Sequence, residues 1–396
     1  MIKILLCLSC IIFTLRLLTF NFNTLPPQNL TINTFNRFPN SFYTAQSGDF
    51  NLSFSYKGKL EPQHIISYTS YKYDEKYKSY TLKGVKVINS NPMGFSRLKK
   101  NLYYLKKDLL IQLNTILKGK SYQLSAGMLF GEKSALDKDF KENLVKVGLI
   151  HIVVVSGFNI SLVGLLILNT FKRFGQIAYV FSLMGIIMYS VFVGLEPPVL
   201  RALIMGGIVI LARVKGEESN QIYLLLITAL IMVFFNPLIL KSLSFQLSFM
   251  ATLGILTFTP IFDQLINPES IEGPKILSDL SASLSAQLMV LPILAYNFGQ
   301  VSIISPVANL LTLWAVPVIT VVSGFLLLIS LASIKVATML SFLVTIPSLI
   351  IEMVTSNFAE LNYASVMVQV DLKKVIVTYF CMFSFYLYYI FYLSRQ

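Results

Sequence analysis

This chain of 396 residues is poor in cysteine, histidine and charge, and each shortage excludes a class of protein. Its three cysteines, Cys7, Cys10 and Cys381, all fall in apolar segments, so neither a disulfide framework nor a zinc-type spacing is present. With His64 and His151 as its whole complement of histidine, a histidine-rich binuclear metal centre is excluded. The one echo of a phosphate-binding loop is Gly127 with Gly131-Glu132-Lys133-Ser134. It fails on spacing, because Glu132 separates the glycine from the lysine. No metal, nucleotide or other cofactor is expected. Charge is scarce as well: 13% of the residues carry it, about half of the ~25% usual in soluble domains.

What is there instead is apolar. Hydrophobic residues make up 55% of the chain and the mean hydropathy is +0.68. Several runs reach the roughly 20 residues that a helix needs to cross a bilayer. The expected fold class is a polytopic α-helical membrane protein with a small extracytoplasmic β-rich, OB-like domain. Residues 1–20 read as a first transmembrane helix, because no small-residue cleavage site follows their apolar core. Residues 21–120 read as the β-rich domain with a basic helix at its end, 121–146 as connector helices, and 147–396 as the membrane bundle. Spans are predicted near 147–169, 174–195, 197–212, 221–240, 243–260, 301–330, 336–356 and 373–393, with 278–298 as a further span or a re-entrant segment. Lys172-Arg173 and the pair Arg213 and Lys215 sit two helices apart, hence on one face, which the positive-inside rule makes cytoplasmic. The N-terminus is then inside and the β-rich domain outside the cytoplasmic membrane.

The formal net charge of +13 is unevenly spread. Residues 1–146 hold 21 Lys/Arg against 9 Asp/Glu, and the remainder hold 11 against 10. The basic excess suits a polyanion or lipid head groups, or else a solvated basic face. Within it, Tyr71, Tyr73, Tyr77 and Tyr80 alternate with Lys72, Lys76, Lys78, Lys83 and Lys86. Cationic grooves with stacking rings hold single-stranded nucleic acid; on a half-buried sheet the same tyrosines are simply core.

Polar groups recur inside the apolar spans, where each one costs free energy unless it finds a partner or water. Residues 148–161 carry His151, Ser156, Asn159 and Ser161, and a break at Ser156-Gly157 would expose backbone polar groups to a passing phosphate. The alternative is a close helix contact through Gly157 and Ser161. Their spacing would place His151 and Asn159 on one helix face, with Ser156 off it. An intramembrane serine protease is disfavoured, because Val154 stands where its Gly-x-Ser-Gly motif begins. Arg201 lies in an apolar helix and needs a partner or a path, with Glu196 as the nearest acid. Gln246 with Ser244 and Ser248, and Gln287 with Ser283 and Ser285, serve either a hydrophilic lining or interhelical hydrogen bonds. Pro292, Pro306 and Pro317 favour broken helices around a cavity.

Ordered blocks in residues 125–330 resemble the ComEC family, the inner-membrane DNA-uptake channel of transformable bacteria. They are Gly131-Glu132-Lys133-Ser134 with Gly148-Leu149-Ile150-His151 and Ser156-Gly157-Phe158-Asn159, then Pro197-Pro198-Val199-Leu200-Arg201-Ala202, then Asn236-Pro237 with Phe245-Gln246-Leu247-Ser248-Phe249, and finally Gln287, Asn297-Phe298-Gly299 and Asn309. The resemblance implies a membrane channel for one strand of transforming DNA, without covalent catalysis by this chain. It makes His151, Ser156, Gly157, Asn159, Glu196, Arg201, Gln246, Ser248, Gln287 and Asn309 the expected lining of the path. Lys72, Tyr73, Lys76, Lys78, Lys83 and Lys86 are the expected strand contacts outside. Implied partners are single-stranded DNA, membrane lipid, an external DNA receptor, a cytoplasmic motor or strand-binding protein, and a second copy of the chain. Long family members continue into a metallo-β-lactamase-like domain. This sequence lacks its histidines, so strand degradation is expected of a separate nuclease. Phe158-Asn159 also departs from the commoner Leu-His. A transporter of a smaller anion and a membrane scaffold remain the alternatives.

Overall fold

The computed structural model describes the strand residues between 29 and 89 with Tyr68 and Val85, and residues 95–393 apart from 154, 267–274 and 362. The expected first helix over 1–20 and the lysines Lys76 and Lys78 lie outside the described residues. Two compact units are distinguished, Thr19–Ile111 and Met1–Leu18 with Gln112–Gln396.

The first unit is built of strands. β1 (Asn29–Thr31), β5 (Ile65–Ser67) and β8 (Lys86–Asn89) form one sheet in the order β1-β5-β8. β2 (Thr34–Phe38), β3 (Phe42–Ser47), β4 (Phe50–Ser55), β6 (Ser70–Asp74) and β7 (Ser79–Lys83) form another, in the order β2-β3-β4-β7-β6. All pairs are antiparallel except β4 with β7, and the intervening β5 and β6 supply the crossover that a parallel pair needs. Alternation along β4 buries Leu52 and Phe54 with Leu82 of β7, while Ser53 between them hydrogen-bonds Thr81 across the pair at 3.0 Å.

α1 (Phe95–Ile116) begins in the first unit and ends in the second, where Leu113 and Ile116 are buried; the rest of the second unit is helical apart from one short strand pair. α2 (Gly119–Phe130) ends on Gly131, held left-handed at φ 69°. There the Gly131 and Glu132 amides donate to Gly127 O and Ala126 O at 2.9 and 3.1 Å. α3 (Lys138–Val147) is amphipathic: Phe140, Leu144 and Val147 recur at i, i+4 and i+7 and are buried. Then follow α4 (Ile150–Val153), α5 (Gly157–Phe171), α6 (Ile177–Val193), α7 (Pro197–Val214), α8 (Gln221–Phe235), α9 (Leu243–Ile266) and α10 (Lys275–Phe298). Pro197-Pro198 opens α7, where their missing N–H groups cost nothing. Asn220 caps α8, its side chain accepting from the Ile222 and Tyr223 amides.

The C-terminal part comprises β9 (Gln300–Ser302), α11 (Ser305–Thr312), α12 (Ala315–Ala332), α13 (Ile334–Met339), α14 (Phe342–Glu360), β10 (Ser365–Met367) and α15 (Leu372–Leu393). β9 and β10 pair antiparallel. α9 packs along α10, α5 along α6, α12 along α14, and α3 against α14. Gly254 sets the first of these contacts: a Cβ there would stand 2.4 Å from Ser285 O of α10.

Among the described residues six helical segments are long and apolar enough to cross a membrane. They are Pro197–Val214, Leu243–Ile266, Leu277–Phe298, Ala315–Ala332, Ile334–Glu360 and Leu372–Phe391. Residues 278–298 lie within one continuous helix, Lys275–Phe298, of bilayer length. Two expected spans are corrected. The predicted 147–169 segment divides into the end of α3, α4 and α5, because Gly148 closes α3 in a left-handed turn and Ser156 is extended. The predicted 301–330 segment divides into β9, α11 and α12. Pro306 begins α11 there rather than interrupting a longer helix.

Candidate functional site

The first polar centre forms where the chain breaks before α5. Ser156 precedes the helix at φ −102°, ψ 166°, and its side chain makes no capping bond. Gly157 follows, against α7. A Cβ on Gly157 would stand 3.0 Å from Arg201 Nη2 and 3.2 Å from Ala202 Cβ, so the guanidinium lies directly over the start of α5. Arg201 Nη1 donates to Ser248 O of α9 at 2.6 Å, and the Thr252 hydroxyl donates to the same carbonyl at 3.0 Å. Arg201 Nε is buried without a hydrogen-bond partner. No carboxylate pairs with this arginine among the described residues. Gly157, Arg201 and Ser248 are thus brought together from three helices that are far apart in sequence.

The expected pairing of Arg201 with Glu196 is not made. Glu196 accepts instead from Lys133 Nζ at 3.1 Å, with both side chains roughly half exposed. The reason is local geometry: Glu196 is the extended residue before α7, outside the helix, whereas Arg201 is a full turn inside it.

Asn159 is wholly buried, and its Nδ2 donates to Met128 O at 2.8 Å. The Tyr189 hydroxyl donates to Leu129 O at 3.0 Å. With Gly131 and Glu132 serving Gly127 and Ala126, these two side chains complete four consecutive carbonyls at the end of α2. A helix end buried among apolar helices needs such partners. Asn159 Oδ1 has no partner. His151 sits apart from this centre, exposed on α4, with Nδ1 2.9 Å from Gly148 O. A carbonyl only accepts, so Nδ1 carries the proton in that contact. The helix breaks between His151 and Asn159, so the shared face expected of one continuous helix does not exist. His151 is at the surface; Asn159 is in the core.

A second, uncharged centre lies around α10 and α11. Gln287 Nε2 donates to Ser302 O at 2.9 Å, and Asn309 Nδ2 bonds Ser283 Oγ at 3.0 Å. The amide oxygens of both side chains are buried and unpartnered. Gly148, which closes α3, packs against this second centre. There φ is +82°, and a Cβ would stand 2.7 Å from Ser305 Cβ and 3.1 Å from Ser302 Cβ. Gln246 belongs to neither: its Nε2 donates to Leu240 O, 2.8 Å away.

Outside the spans, Lys120 Nζ stands 2.6 Å from Asp137 Oδ2, and this hydrogen bond holds the carboxyl below its usual range. Asp137 is the residue before α3, but its side chain does not cap the helix. On the β sheet, Tyr71 faces Leu82 in register and Tyr73 faces Tyr80, while Lys72 faces Thr81. Tyrosine positions therefore share the sheet face of buried Leu82, and positions 72 and 83 share the other; Lys83 is exposed. Lys86 lies on β8 of the other sheet. Sequence reasoning missed Tyr189, Lys133, Thr252 and the serines at 302 and 305. The signal for Tyr189 was a helix stop at Gly131 inside an apolar stretch, which leaves carbonyls that something must serve.

A helical unit with six segments long and apolar enough to cross a bilayer among its described residues, and a half-buried guanidinium between helices, defines a polytopic helical membrane protein. Its sequence places it further. The model of the Competence protein family matches residues 128–395, and the chain belongs to that family. It is 26% identical over 261 residues to ComE operon protein 3 of Bacillus subtilis (strain 168), covering 63% of this chain and 32% of that one. It is 33% identical over 192 residues to an uncharacterized protein of Aquifex aeolicus (strain VF5), covering 48% of this chain and 43% of that one. The chain thus matches less than half the length of either relative. No solved structure matches it significantly.

Proposed function

We propose that this chain forms part of a path by which one strand of transforming DNA crosses the bacterial cytoplasmic membrane. In this reading the N-terminus is inside, the β-rich unit is an OB-like domain outside, and lipid covers the apolar outer faces of the bundle. The observation that carries it is Arg201, a half-buried guanidinium whose Nε is buried without a hydrogen-bond partner and which has no acidic partner among the described residues, held against the uncapped start of α5. An arginine at the centre of a span costs about 2.5–3.5 kcal/mol on insertion scales; Arg201, one turn inside α7, has only the Ser248 carbonyl to offset its charge. Helix starts and guanidinium groups both favour phosphate. Family membership supports the same reading. No covalent step is assigned to the chain. Driving force comes from a cytoplasmic motor or strand-binding protein, supply from an external receptor, and strand degradation from a separate nuclease; the chain acts alone or as a homodimer.

The test is deletion in a transformable host, with entry of labelled DNA into a nuclease-protected state as the readout. Wild type restores entry, and a stably inserted Arg201→Gln does not. Unchanged entry in the deletion strain would overturn the reading and move a transporter of a smaller anion to first place.

A further inference from the structure

The exposed face of α3 has no role in either polar centre. Phe140, Leu144 and Val147 turn inward, leaving Lys138, Lys141, Glu142 and Val145 on the opposite side. Together with Lys146 and Gln300 they line an open groove of about 560 Å³. Lys146 is anchored, its ammonium donating to Ala359 O at the C-terminal end of α14, where a cation complements the helix dipole. Lys138 is only loosely engaged, 3.9 Å from Glu142 with both side chains largely exposed. Lys141 makes no ion pair among the described residues. Lys138 and Lys141 thus stand exposed on α3, among the acids Asp139 and Glu142 of the same helix, and α3 itself packs on α14, part of a bilayer-length segment.

We propose that this face of α3 holds the phosphodiester backbone of the nucleic-acid strand beside the bundle, with Lys138 and Lys141 as the phosphate contacts. The proposal rests on the DNA-path reading above. Lys138 and Lys141 stand about 4.5 Å apart along the helix axis, and their long side chains can reach neighbouring phosphates of one strand. A lipid surface is the poorer fit. Amphipathic helices bind membranes by burying their apolar face in them, and here that face is already packed within the protein. The Lys138–Glu142 contact is weak enough for a phosphate to displace.

The experiment uses the full chain in nanodiscs of zwitterionic lipid, titrated with a fluorescent oligothymidylate across a salt series. The Lys138→Gln/Lys141→Gln double variant is expected to bind about tenfold more weakly, with a salt slope lower by about 1.4, since each single-strand phosphate contact contributes about 0.7. Glu142→Gln is expected to bind more tightly, a direction that loss of folding cannot imitate. Unchanged affinity and slope in these variants overturn the proposal while leaving the DNA-path reading standing. A lysine effect that appears only when anionic lipid is added also overturns it, in favour of a headgroup site. If the wild-type chain binds no oligonucleotide and its deletion leaves DNA entry unchanged, both fall together.

Discussion

The apolar chain is interrupted twice, before α5 and before α12, and the two interruptions answer the same problem differently. At the first, a guanidinium is brought over the start of a helix, with one carbonyl as its partner. At the second, Gln287 donates to the Ser302 carbonyl and Asn309 to the Ser283 hydroxyl, leaving two amide oxygens unpartnered but no charge. Neutral groups in a bilayer interior gain little from each bond, about 0.6 kcal/mol on average. A charge there is another matter, because it is costly to keep and cheap to lose. The first centre therefore points to function and the second to packing.

That contrast is most exposed to failure at the charge itself. Arg201→Gln is expected to reduce DNA entry to the level of a deletion strain without lowering the amount of inserted protein, while Asn309→Ala leaves entry close to wild type. Equal losses from both would erase the distinction. Next in size is the junction. Gly148→Val combines a left-handed backbone with contact against Ser305, and overpacking alone costs roughly 1–3 kcal/mol. Thermal denaturation of the solubilised chain, followed by size exclusion, should show a clear drop for it.

Asn159→Ala should cost about 1–3 kcal/mol in the same assay, because it strands the buried Met128 carbonyl. Tyr189→Phe should cost less, about 0.6 kcal/mol, with the bilayer average for one hydrogen bond as the guide. If Asn309→Ala proved the more destabilising of the two asparagine variants, the second centre rather than the first would be the rigid one. The smallest effect is outside the spans. Asp137 is held below its usual range by Lys120, so whatever stability the pair adds is present at neutral pH. It fades as pH falls through the lowered carboxyl pKa. The difference between wild type and Asp137→Asn should therefore vanish in acid, and one that persisted would assign the residue another role.

Much of the site was legible in advance because membrane burial makes polar residues conspicuous. Arg201, Gly157 and Ser248 stood out in three separate apolar runs, and the break at Ser156-Gly157 was readable from its small residues. Partners were not legible. Glu196 was nearest to Arg201 along the chain, yet it pairs with Lys133, because a residue ahead of a helix start points elsewhere than one a turn inside it. Likewise, tyrosines and lysines alternate along the sequence, and the pairing of β6 with β7 parts Tyr71, Tyr73 and Tyr80 from Lys72 and Lys83 onto opposite sheet faces. Helix continuity over 147–169 and 301–330 was misjudged for a related reason: hydropathy registers how apolar a stretch is and is blind to whether its backbone turns.

By itself the sequence determined a helical, many-spanned membrane protein of the competence family with a β-rich segment ahead of the bundle. Composition, apolar run length and ordered motifs are local properties, and no contact between distant residues is needed to read them. Tertiary structure alone decided that Arg201 meets Ser248 and Gly157, that Asn159 and Tyr189 close the end of α2, and that α3 turns its lysines outward. Each of those is a meeting of residues 30 or more apart or a choice of buried face. Such meetings are fixed by which helices pack together, because every buried polar group must find its partner in space and not along the chain.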